Sequence, residues 1–358
     1  MIKTRDWLSP LSWLYGLAVT LRNWLFNVGL LHQQSYDIPV ISVGNITVGG
    51  TGKTPHVEYL VRLLDKLTKV AVLSRGYKRK TKGYVLADDD ATAATIGDEP
   101  FQMKRKFKDI YVAVAANRRE GIARLTTDKD TNDVGVILLD DAFQHRYVKP
   151  GINILLVDYH RLIIYDKLLP AGRLREPLSG KSRADFVIVT KCPADLKPMD
   201  IRVLTKAMSL YPYQELFFTT MEYGELFPLF KEKEDEAPEL KGHNVLLLTG
   251  IASPEEMEND IKIKCRSLKT MTFRDHHAFT PKDVEAINDA FERMESPKII
   301  VTTEKDSTRL LQTELNATIK SAIYVLPIRV RFMLSQDEEL FNNKIISYVR
   351  KNSRNSIL

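Results

Sequence analysis

The sequence has little cysteine. Its 358 residues contain two, Cys192 and Cys265, which are far apart and have no partners at metal-site spacing. Two isolated thiols exclude a disulfide framework and argue against a zinc site. They fit a protein of a reducing cytoplasm.

A long apolar run is also missing. The uncharged stretch between Asp6 and Arg22 has 15 residues, fewer than the ~20 that cross a hydrocarbon core. No signal-peptide cleavage site follows it. We therefore expect a helix that lies in the membrane interface, with Lys3, Arg5 and Arg22 facing lipid phosphates. A helix packed on the chain's own core is the alternative. All three tryptophans of the chain lie in this region: Trp7, Trp13 and Trp24.

Composition is that of an ordinary soluble protein, with 44% hydrophobic and 27% charged residues. The length exceeds the usual size of one core, so we expect two domains. The net charge of +6 is moderate, but basic residues cluster. Such clusters are often solvated surface, yet together they favour an anionic ligand or an anionic membrane surface. The clusters lie at 75–80, 118–119, 173–175 and 181–183.

Residues 49–55 read Gly-Gly-Thr-Gly-Lys-Thr-Pro and follow the apolar run 38–43. A glycine-rich turn between a buried strand and a helix presents backbone N–H groups to phosphate oxygens, and the helix dipole favours the anion. Lys53 can reach the β- and γ-phosphates of a nucleotide, and Thr54 can ligate Mg²⁺. The usual first glycine is absent, because position 47 is Thr47. The strand, turn and helix together predict nucleotide triphosphate binding.

The order of apolar runs predicts a parallel sheet with helices on both faces. Strand 38–43, a helix over 55–67 and strand 70–73 open a βαβ unit. Ligands of such sheets bind at the carboxyl ends of strands. We predict a domain over 1–150 that includes the N-terminal helix and is rejoined by 307–358, and a second, smaller α/β domain over 151–306. Further strands are predicted at 110–115, 134–139, 152–157, 186–190, 215–220, 245–249 and 299–303.

Carboxylates follow these strands. Asp140 and Asp141 end the run 134–139, where a Mg²⁺-nucleotide site needs one or two acids. Transfer of a phosphoryl group to an alcohol also needs a group that orients the acceptor hydroxyl and takes its proton. Asp98, Glu99 and the histidine of Asp275-His276-His277 are candidates, and the residues alone do not choose among them.

Six ordered motifs together resemble the tetraacyldisaccharide 4′-kinase family of lipid A biosynthesis. The resemblance extends from the N-terminal apolar helix to about Asp306, and the family's phosphate loop also lacks its first glycine. Where this chain has Ala142 the family usually has glycine, a difference that concerns loop geometry. The motifs are Val-Gly-Asn to Pro at 43–55, Leu-Ser-Arg-Gly-Tyr at 73–77, Gly-Asp-Glu-Pro at 97–100, Leu-Asp-Asp-Ala-Phe-Gln-His at 139–145, Leu-Pro-Ala-Gly-Arg-Leu-Arg-Glu-Pro at 169–177 and Phe-Arg-Asp-His-His at 273–277.

The resemblance implies a P-loop NTPase-like parallel-sheet domain with a second, smaller α/β domain and an N-terminal interfacial helix. The implied enzyme uses ATP and Mg²⁺ to phosphorylate the 4′-hydroxyl of a tetraacyl glucosamine disaccharide 1-phosphate, which gives lipid IV-A. It would be peripheral, on the cytoplasmic face of the bacterial inner membrane. Neither a nucleic-acid partner nor an obligate protein partner is expected.

The family's site residues map onto this chain in four groups. The catalytic group is Asp98, acting as the base or as the acid that orients the acceptor in a dyad with His276, together with Lys53, Asp140, Arg175 and Glu176. The nucleotide-binding group is Thr47, Val48, Gly49, Gly50, Thr51, Gly52, Lys53, Thr54, Gln144 and His145. The metal group is Thr54, Glu99 and Asp141. The disaccharide or its phosphate is expected to meet Arg75 and Tyr77.

Two other functions remain open at this point. A membrane-associated switch ATPase of the ParA/MinD type also has a Gly-Gly-x-Gly-Lys-Thr loop and amphipathic helices, but carries a lysine where this chain has Val48. A GTPase is a weaker alternative, based on the likeness of Thr-Glu-Lys-Asp at 303–306 to a guanine-reading motif. A non-catalytic scaffold is disfavoured, because it would not need two acids behind a phosphate loop.

Overall fold

The protein, seen here in a computed structural model, is described over residues 6–230, 238–251 and 254–352. The chain divides into two compact units. The larger comprises Met1–Met221 and Val330–Leu358, and the smaller comprises Glu222–Arg329. Each has its own sheet and its own apolar core, as expected of domains.

The secondary structure alternates between strands and helices along most of the chain. The strands are β1 (Val40–Gly44), β2 (Lys69–Ser74), β3 (Val85–Leu86), β4 (Tyr111–Val114), β5 (Val134–Asp140), β6 (Ile152–Asp158), β7 (Phe186–Thr190), β8 (Glu215–Tyr223), β9 (Phe227–Pro228), β10 (Asn244–Thr249), β11 (Ser267–Thr272), β12 (Lys298–Thr303), β13 (Ile323–Leu326) and β14 (Ile328–Phe332). The α-helices are α1 (Ser9–Asn27), α2 (Lys53–Leu64), α3 (Ala93–Ile96), α4 (Asp98–Lys106), α5 (Arg118–Thr127), α6 (Pro198–Met208), α7 (Glu255–Lys264), α8 (Pro281–Glu292), α9 (Glu304–Leu310), α10 (Ala317–Ala322) and α11 (Ser335–Asn352).

The sheet of the larger unit has the strand order β14-β8-β7-β6-β1-β5-β2-β4-β3 over the described residues. From β4 to β8 all neighbours are parallel, and β3 pairs antiparallel with β4. Strand β1 is central, since Ile41 pairs with both Leu138 and Ile152. The carboxyl ends of the parallel strands therefore share one edge, which is where such sheets bind ligands.

Helices cover both faces of this sheet. Along β1, Ile41 and Val43 join a core cluster with α2, α4 and α11, whereas Val40 points to the opposite face and packs with α5. On that second face Leu155 of β6 packs with Met208 of α6. The alternation follows from the two-residue period of a strand. The predicted α/β class with a parallel sheet is confirmed.

Helix α1 is apolar on the side that faces solvent. Its buried residues are Ser12, Gly16 and, near its C-terminal end, Phe26. Ser12 donates to the carbonyl oxygen of Leu168 at 3.0 Å, and at Gly16 an added Cβ would lie 2.7 Å from a Leu168 methyl. Most of the large apolar side chains of α1 therefore face solvent, unlike those of a helix that covers a core. None of the described helices is long and apolar enough to cross a membrane. The exposed large apolar side chains of α1 are Leu11, Trp13, Leu14, Leu17, Leu21 and Trp24.

In the part of the smaller unit that the structure describes, five strands form a sheet in the order β11-β10-β12-β13-β9. The first three neighbour pairs are parallel and β9 is antiparallel. Leu246 and Leu248 of β10 pack with α8, α9 and α10, and Val245 and Leu247 pack with α7 on the other face.

The division between the units differs from the boundary predicted at 150–151. Strands β6, β7 and β8 extend the larger sheet, because β6 pairs directly with β1 through Ile152 and Ile41. The chain returns to the larger unit at Val330 rather than at 307. Parallel βα alternation looks alike in both units, so the sequence carries no mark of the crossing.

Candidate active site

The loop between β1 and α2 has the backbone of a phosphate-binding turn. Gly49 and Gly52 have φ angles of +117° and +79°, a region that glycine enters without the Cβ cost of other residues. Gly52 precedes the first residue of α2, and a Cβ there would lie 2.5 Å from the methyl carbon of Met221. The positive φ therefore favours glycine at this position, and a larger residue would also displace the flexible end of Met221.

The amide groups at this helix start are available to a ligand. Within the described residues, the N–H groups of Thr51, Gly52 and Lys53 donate no hydrogen bond. They belong to the end of a helix where N–H groups have no intrahelical acceptor, and the helix dipole is positive there. Such an end binds phosphate or another anion.

Lys53 lies beside the predicted acids. Its Nζ is 3.7 Å from Asp141 Oδ1, and Arg175 Nη2 is 3.2 Å from the same oxygen. Burial disfavours the charge of Asp141, but Lys53 and Arg175 outweigh it and hold the pKa of that carboxyl below its usual value. Asp141 has φ of +48°, which a non-glycine residue adopts only with support from its surroundings.

Arg175 ties this acid to the start of the phosphate loop. Its Nε donates to the carbonyl oxygen of Thr47 at 2.9 Å, and its Nη2 donates to Asn45 Oδ1. Backbone pairing adds to this, since the Val48 N–H donates to Arg173 O at 2.8 Å. Thr47 is buried here and Val48 is exposed. Thus the residue that replaces the usual first glycine is held by a neighbouring segment rather than by the loop itself.

Asp140 differs from Asp141 in the direction of its pKa shift, because the nearby cations do not outweigh the effect of its burial. It is 4% exposed, and its Oδ1 has no hydrogen-bond partner among the described residues. Burial, followed by the charges of Glu99 and Asp141, raises the pKa of Asp140 to about 7, against the opposing effect of Lys53 and Arg118. A buried, unpartnered carboxylate oxygen at a strand end fits the oxygen ligand that Mg²⁺ prefers.

Asp98 and Glu99 form the first turn of α4. Asp98 is buried, with 6% of its surface exposed. Glu99 is half-buried and acts on the charge state of Asp140. Glu99 in the first turn of α4 is therefore close enough to Asp140 at the end of β5 for its charge to affect the pKa of Asp140.

Glu176 is the centre of a buried ion-pair network. Both of its carboxylate oxygens accept from Arg183 Nη2, at 2.9 and 2.8 Å. Gln144 donates to Glu176 at 3.0 Å and to the Asn45 carbonyl at 2.6 Å. From α1, Tyr15 donates to the Arg175 carbonyl at 2.6 Å. Glu176 and Gln144 therefore connect the phosphate loop to the N-terminal helix.

Cationic side chains surround His145. Burial first, then Arg118, Arg22 and neighbouring arginines, lower the pKa of His145 to about 4. Its imidazole is neutral near pH 7 and its Nε2 has no partner among the described residues. Arg75 is exposed and contributes to this positive field, and Tyr77 is exposed on the same loop after β2. A positive field of this kind suits an acidic ligand.

His276, the predicted dyad partner of Asp98, lies in the smaller unit, on the loop after β11. Its φ is +62°. Lys305 donates to Asp275 Oδ1 at 2.7 Å and lies 3.4 Å from His276 Nε2, while Arg309 donates to the His276 carbonyl. The neighbouring His277 instead pairs with Asp283 at 2.9 Å, which makes it part of the cap of α8.

The tetrad at 303–306 caps a helix. The Thr303 hydroxyl accepts from the Asp306 N–H at 3.0 Å, and the Asp306 carboxylate accepts from the Gly250 N–H at 2.9 Å. Both residues are buried in the smaller unit at the start of α9. Thr303 and Asp306 therefore stabilise the local structure of the smaller unit.

Several residues of the site were missed by the sequence analysis. Arg118, 2% exposed, donates to the carbonyls of Ala115 and Asp140 at 2.6 and 3.1 Å. Asn45 donates to Thr51 Oγ1 at 2.7 Å and so braces the loop internally. Arg118 and Arg183 were visible as members of basic clusters, but only the fold shows which cluster residues face inward.

These features define the class of P-loop phosphate-binding α/β proteins. They are a buried parallel strand, a turn that contains glycine, a lysine at a helix start, and two acids at the end of the neighbouring strand β5. Comparison with known proteins narrows this class. The model of the family described as Tetraacyldisaccharide-1-P 4′-kinase matches residues 4–349. The chain belongs to that family, and the resemblance carried by the six motifs is confirmed.

Individual relatives agree with this assignment. The chain is 58% identical to the tetraacyldisaccharide 4′-kinase of Phocaeicola vulgatus, over 99% of this chain and 98% of that protein. It is 50% identical to the protein of the same name from Bacteroides thetaiotaomicron, over 99% and 96%. Among solved structures, LpxK from Aquifex aeolicus in complex with ATP is similar, with a TM-score of 0.71 and 29% identity over 96% of this chain and 99% of that chain.

Proposed function

We propose that this chain transfers the γ-phosphoryl group of ATP to the 4′-hydroxyl of a tetraacyl glucosamine disaccharide 1-phosphate, giving lipid IV-A. The observation that carries the proposal is the row of unused amides at Thr51, Gly52 and Lys53, with the Lys53 ammonium next to Asp141, in a member of a kinase family. Phosphoryl transfer is mostly positioning and charge stabilisation, and these groups supply both.

Each residue near the loop has a defined part in this proposal. Lys53 leaves Asp141 for the transferring phosphate, and Arg175 keeps Asp141 ionised in its place. Mg²⁺ would be held by Thr54 and by acids drawn from Asp140, Asp141 and Glu99, and would neutralise charge on the phosphates. Among the described residues no three His, Cys, Asp or Glu form a metal cluster, in keeping with an ion that takes many ligands from phosphate and water.

Asp98 is proposed as the base that orients the 4′-hydroxyl, with His276 as its partner in a dyad. Burial of Asp98 at the start of α4 would strengthen its interaction with a hydroxyl proton. Gln144 and His145 are proposed to contact the nucleotide, and Arg75 and Tyr77 the disaccharide or its phosphate. The cations around His145 support an anionic ligand there.

We place the protein on the inner-membrane surface, at its cytoplasmic face. The support is the outward apolar side of α1, which carries two of the three tryptophans. Tryptophan and leucine at a helix surface are typical of an interfacial helix.

The test uses purified protein with γ-labelled ATP and the tetraacyl disaccharide 1-phosphate in mixed micelles. We expect a labelled lipid that requires both substrates and disappears with EDTA or with Lys53→Met. ATP hydrolysis without lipid labelling would instead support the membrane-associated switch ATPase. Substitution of GTP for ATP tests nucleotide choice in the same assay.

A further inference from the structure

Three successive carbonyl groups of the phosphate loop each contact a side chain that lies outside the loop. Lys191 Nζ lies 2.5 Å from Gly50 O. The Thr190 hydroxyl donates to Thr51 O at 3.0 Å. His56 Nδ1 lies 2.7 Å from Gly52 O. No part of the phosphate-binding motif itself explains these contacts.

Their consequence follows from peptide geometry. In a planar trans peptide the C=O of one residue points opposite to the N–H of the next. Fixing the carbonyls of Gly50, Thr51 and Gly52 on one side therefore directs the N–H groups of Thr51, Gly52 and Lys53 to the other. Within the described residues, none of these three amides donates a hydrogen bond.

The donors come from rigid places. Thr190 is fully buried at the end of β7, in register with Asp158 at the end of β6. The Lys191 ammonium also pairs with Asp158 Oδ2 at 3.0 Å, and Asp158 is 7% exposed. Hence the loop after β1 is hydrogen-bonded to residues at the ends of β6 and β7, the two strands that follow β1 on one side of the sheet.

His56 carries a proton on Nδ1, because the Gly52 carbonyl oxygen at 2.7 Å accepts but cannot donate. The imidazole is buried, and its Nε2 lies 3.1 Å from the Thr219 hydroxyl. The third brace thus begins in α2 and ends in β8.

The backbone conformation of Lys191 is unfavourable for a residue with a side chain. Its φ is +56°, a conformation that costs lysine roughly 1 kcal/mol more than glycine. Its side chain supplies the contacts that offset this cost, to Gly50 and Asp158.

We propose that Lys191, Thr190 and His56 are positioning residues that hold the phosphate-loop carbonyls so that the loop's amides face the nucleotide. Lys191 anchored on Asp158 is the outermost of the three. The proposal rests on the proposed function of this loop, and it adds residues that act on ATP through the backbone.

The first experiment measures binding of a non-hydrolysable ATP analogue by calorimetry to the full chain, with ATP turnover in parallel. Lys191→Met should weaken binding about tenfold, the effect of losing one charge-assisted hydrogen bond. KM for ATP should rise while kcat changes less than about threefold. Lys191→Arg should restore most of the loss. Lys298→Met is the matched control, because Lys298 also donates to backbone carbonyls, those of Phe291 and Glu292 at 2.8 and 3.2 Å.

The second experiment separates a brace from a direct contact of Lys191 with the nucleotide. The buried Thr190 hydroxyl donates to two backbone oxygens, Thr51 O at 3.0 Å and Val157 O at 3.4 Å, so Thr190→Val should also weaken binding. The salt dependence of binding should be the same for wild type and Lys191→Met, since a lost phosphate contact would reduce it. A reduced dependence, or normal binding by Thr190→Val, would overturn the brace.

Two measurements distinguish a folding defect from a binding defect: the unfolding midpoint and the affinity for the ATP analogue. The unfolding midpoint is recorded for every variant, and if Lys191→Met does not fold, Thr190→Val decides the question alone. Failure of the wild-type protein to bind the ATP analogue would contradict the proposed function. Binding by wild type and equally by Lys191→Met and Thr190→Val would contradict only the brace.

Discussion

Asp140 is the residue of the site whose pKa lies close to neutral pH, at about 7. Asp141, next to it, has two cations within ion-pair distance, whereas the buried Asp140 has an oxygen without a partner. Adjacent acids in one strand end thus have opposite pKa shifts, because one faces Lys53 and Arg175 and the other is desolvated. Asp140 therefore has a carboxylate oxygen that a cation could bind, whereas Asp141 is ionised at neutral pH and paired with Lys53 and Arg175.

Asp140→Asn should stabilise the nucleotide-free protein above neutral pH. The pKa of Asp140 is raised from 3.8 to about 7, so its stabilising protonated form is fully present below about pH 4 and is lost as the pH rises through about 7. At pH 8 we expect the variant to melt at least about 2–4 °C higher, the shift given by 1 kcal/mol in a domain of this size. The gain should fade towards pH 4, while phosphoryl transfer is lost. Thermal melts from pH 4 to 8 check this, and a difference independent of pH would contradict it.

Lys305→Met should slow phosphoryl transfer without weakening ATP binding. The Lys305 ammonium pairs with Asp275 and lies next to the His276 ring, so its loss frees a histidine that is held in the left-handed region. We expect kcat to fall by about tenfold with KM for ATP unchanged, and Lys305→Arg to recover part of it. His277→Asn is the matched control: it should lower stability through the α8 cap and leave kcat intact. Equal kcat in Lys305→Met and wild type would remove Lys305 from the site.

Among the elements, α1 carries the most unusual surface. A soluble helix normally turns its apolar stripe inward, but α1 anchors itself through Ser12 and Gly16 and exposes leucines and tryptophans instead. Leu17 and Leu21, one turn apart, are 57% and 55% exposed. Burial of each leucine in lipid would contribute about 2 kcal/mol to membrane binding.

Leu17→Asp with Leu21→Asp should therefore release the protein from vesicles. We expect binding to vesicles of anionic phospholipid to weaken by more than about a hundredfold, with the unfolding midpoint little changed because neither side chain packs inside. Turnover of substrate dispersed in detergent should persist. Co-sedimentation with vesicles measures the binding. The paired substitution Leu67→Asp and Leu340→Asp, at exposed leucines of the larger unit outside α1, is the control. Unchanged sedimentation of the α1 variant would exclude this helix as the anchor.

At the scale of the whole molecule, the sequence was informative about central strands and weak about edges. The run 186–190 is strand β7 as predicted, because a strand buried on both faces is apolar throughout. Strand β11 was missed since its residues are exposed or half-buried. The phosphate loop was predicted from local pattern. Its contacts with Lys191 and Arg175, which are 141 and 130 residues from their partners, depend on the sheet order.

The point where the chain leaves the larger unit has a simple geometry. Strands β8 and β14 are neighbours in its sheet. The Met333 N–H donates to Phe218 O, and the Gly224 N–H donates to Pro327 O, each at 2.9 Å. Partner numbers fall as residue numbers rise, so the pair is antiparallel and Met221 lies opposite Val330.

Replacing residues 222–329 by Asn-Gly should therefore leave a folded larger unit. A two-residue turn joins directly opposed residues of an antiparallel pair, and the core with α2 and α11 is contained in this unit. The truncated protein keeps the phosphate loop, Asp98 and Asp140 but loses His276. We expect its affinity for an ATP analogue to stay within about threefold of wild type, while transfer to the disaccharide lipid disappears. Calorimetry and the lipid-labelling assay give the two readouts, with Lys53→Met in the truncated chain as the control for specific binding. Loss of nucleotide binding by a folded truncated protein would mean that the smaller unit contributes to the ATP site, and transfer by that protein would remove His276 from the proposed dyad.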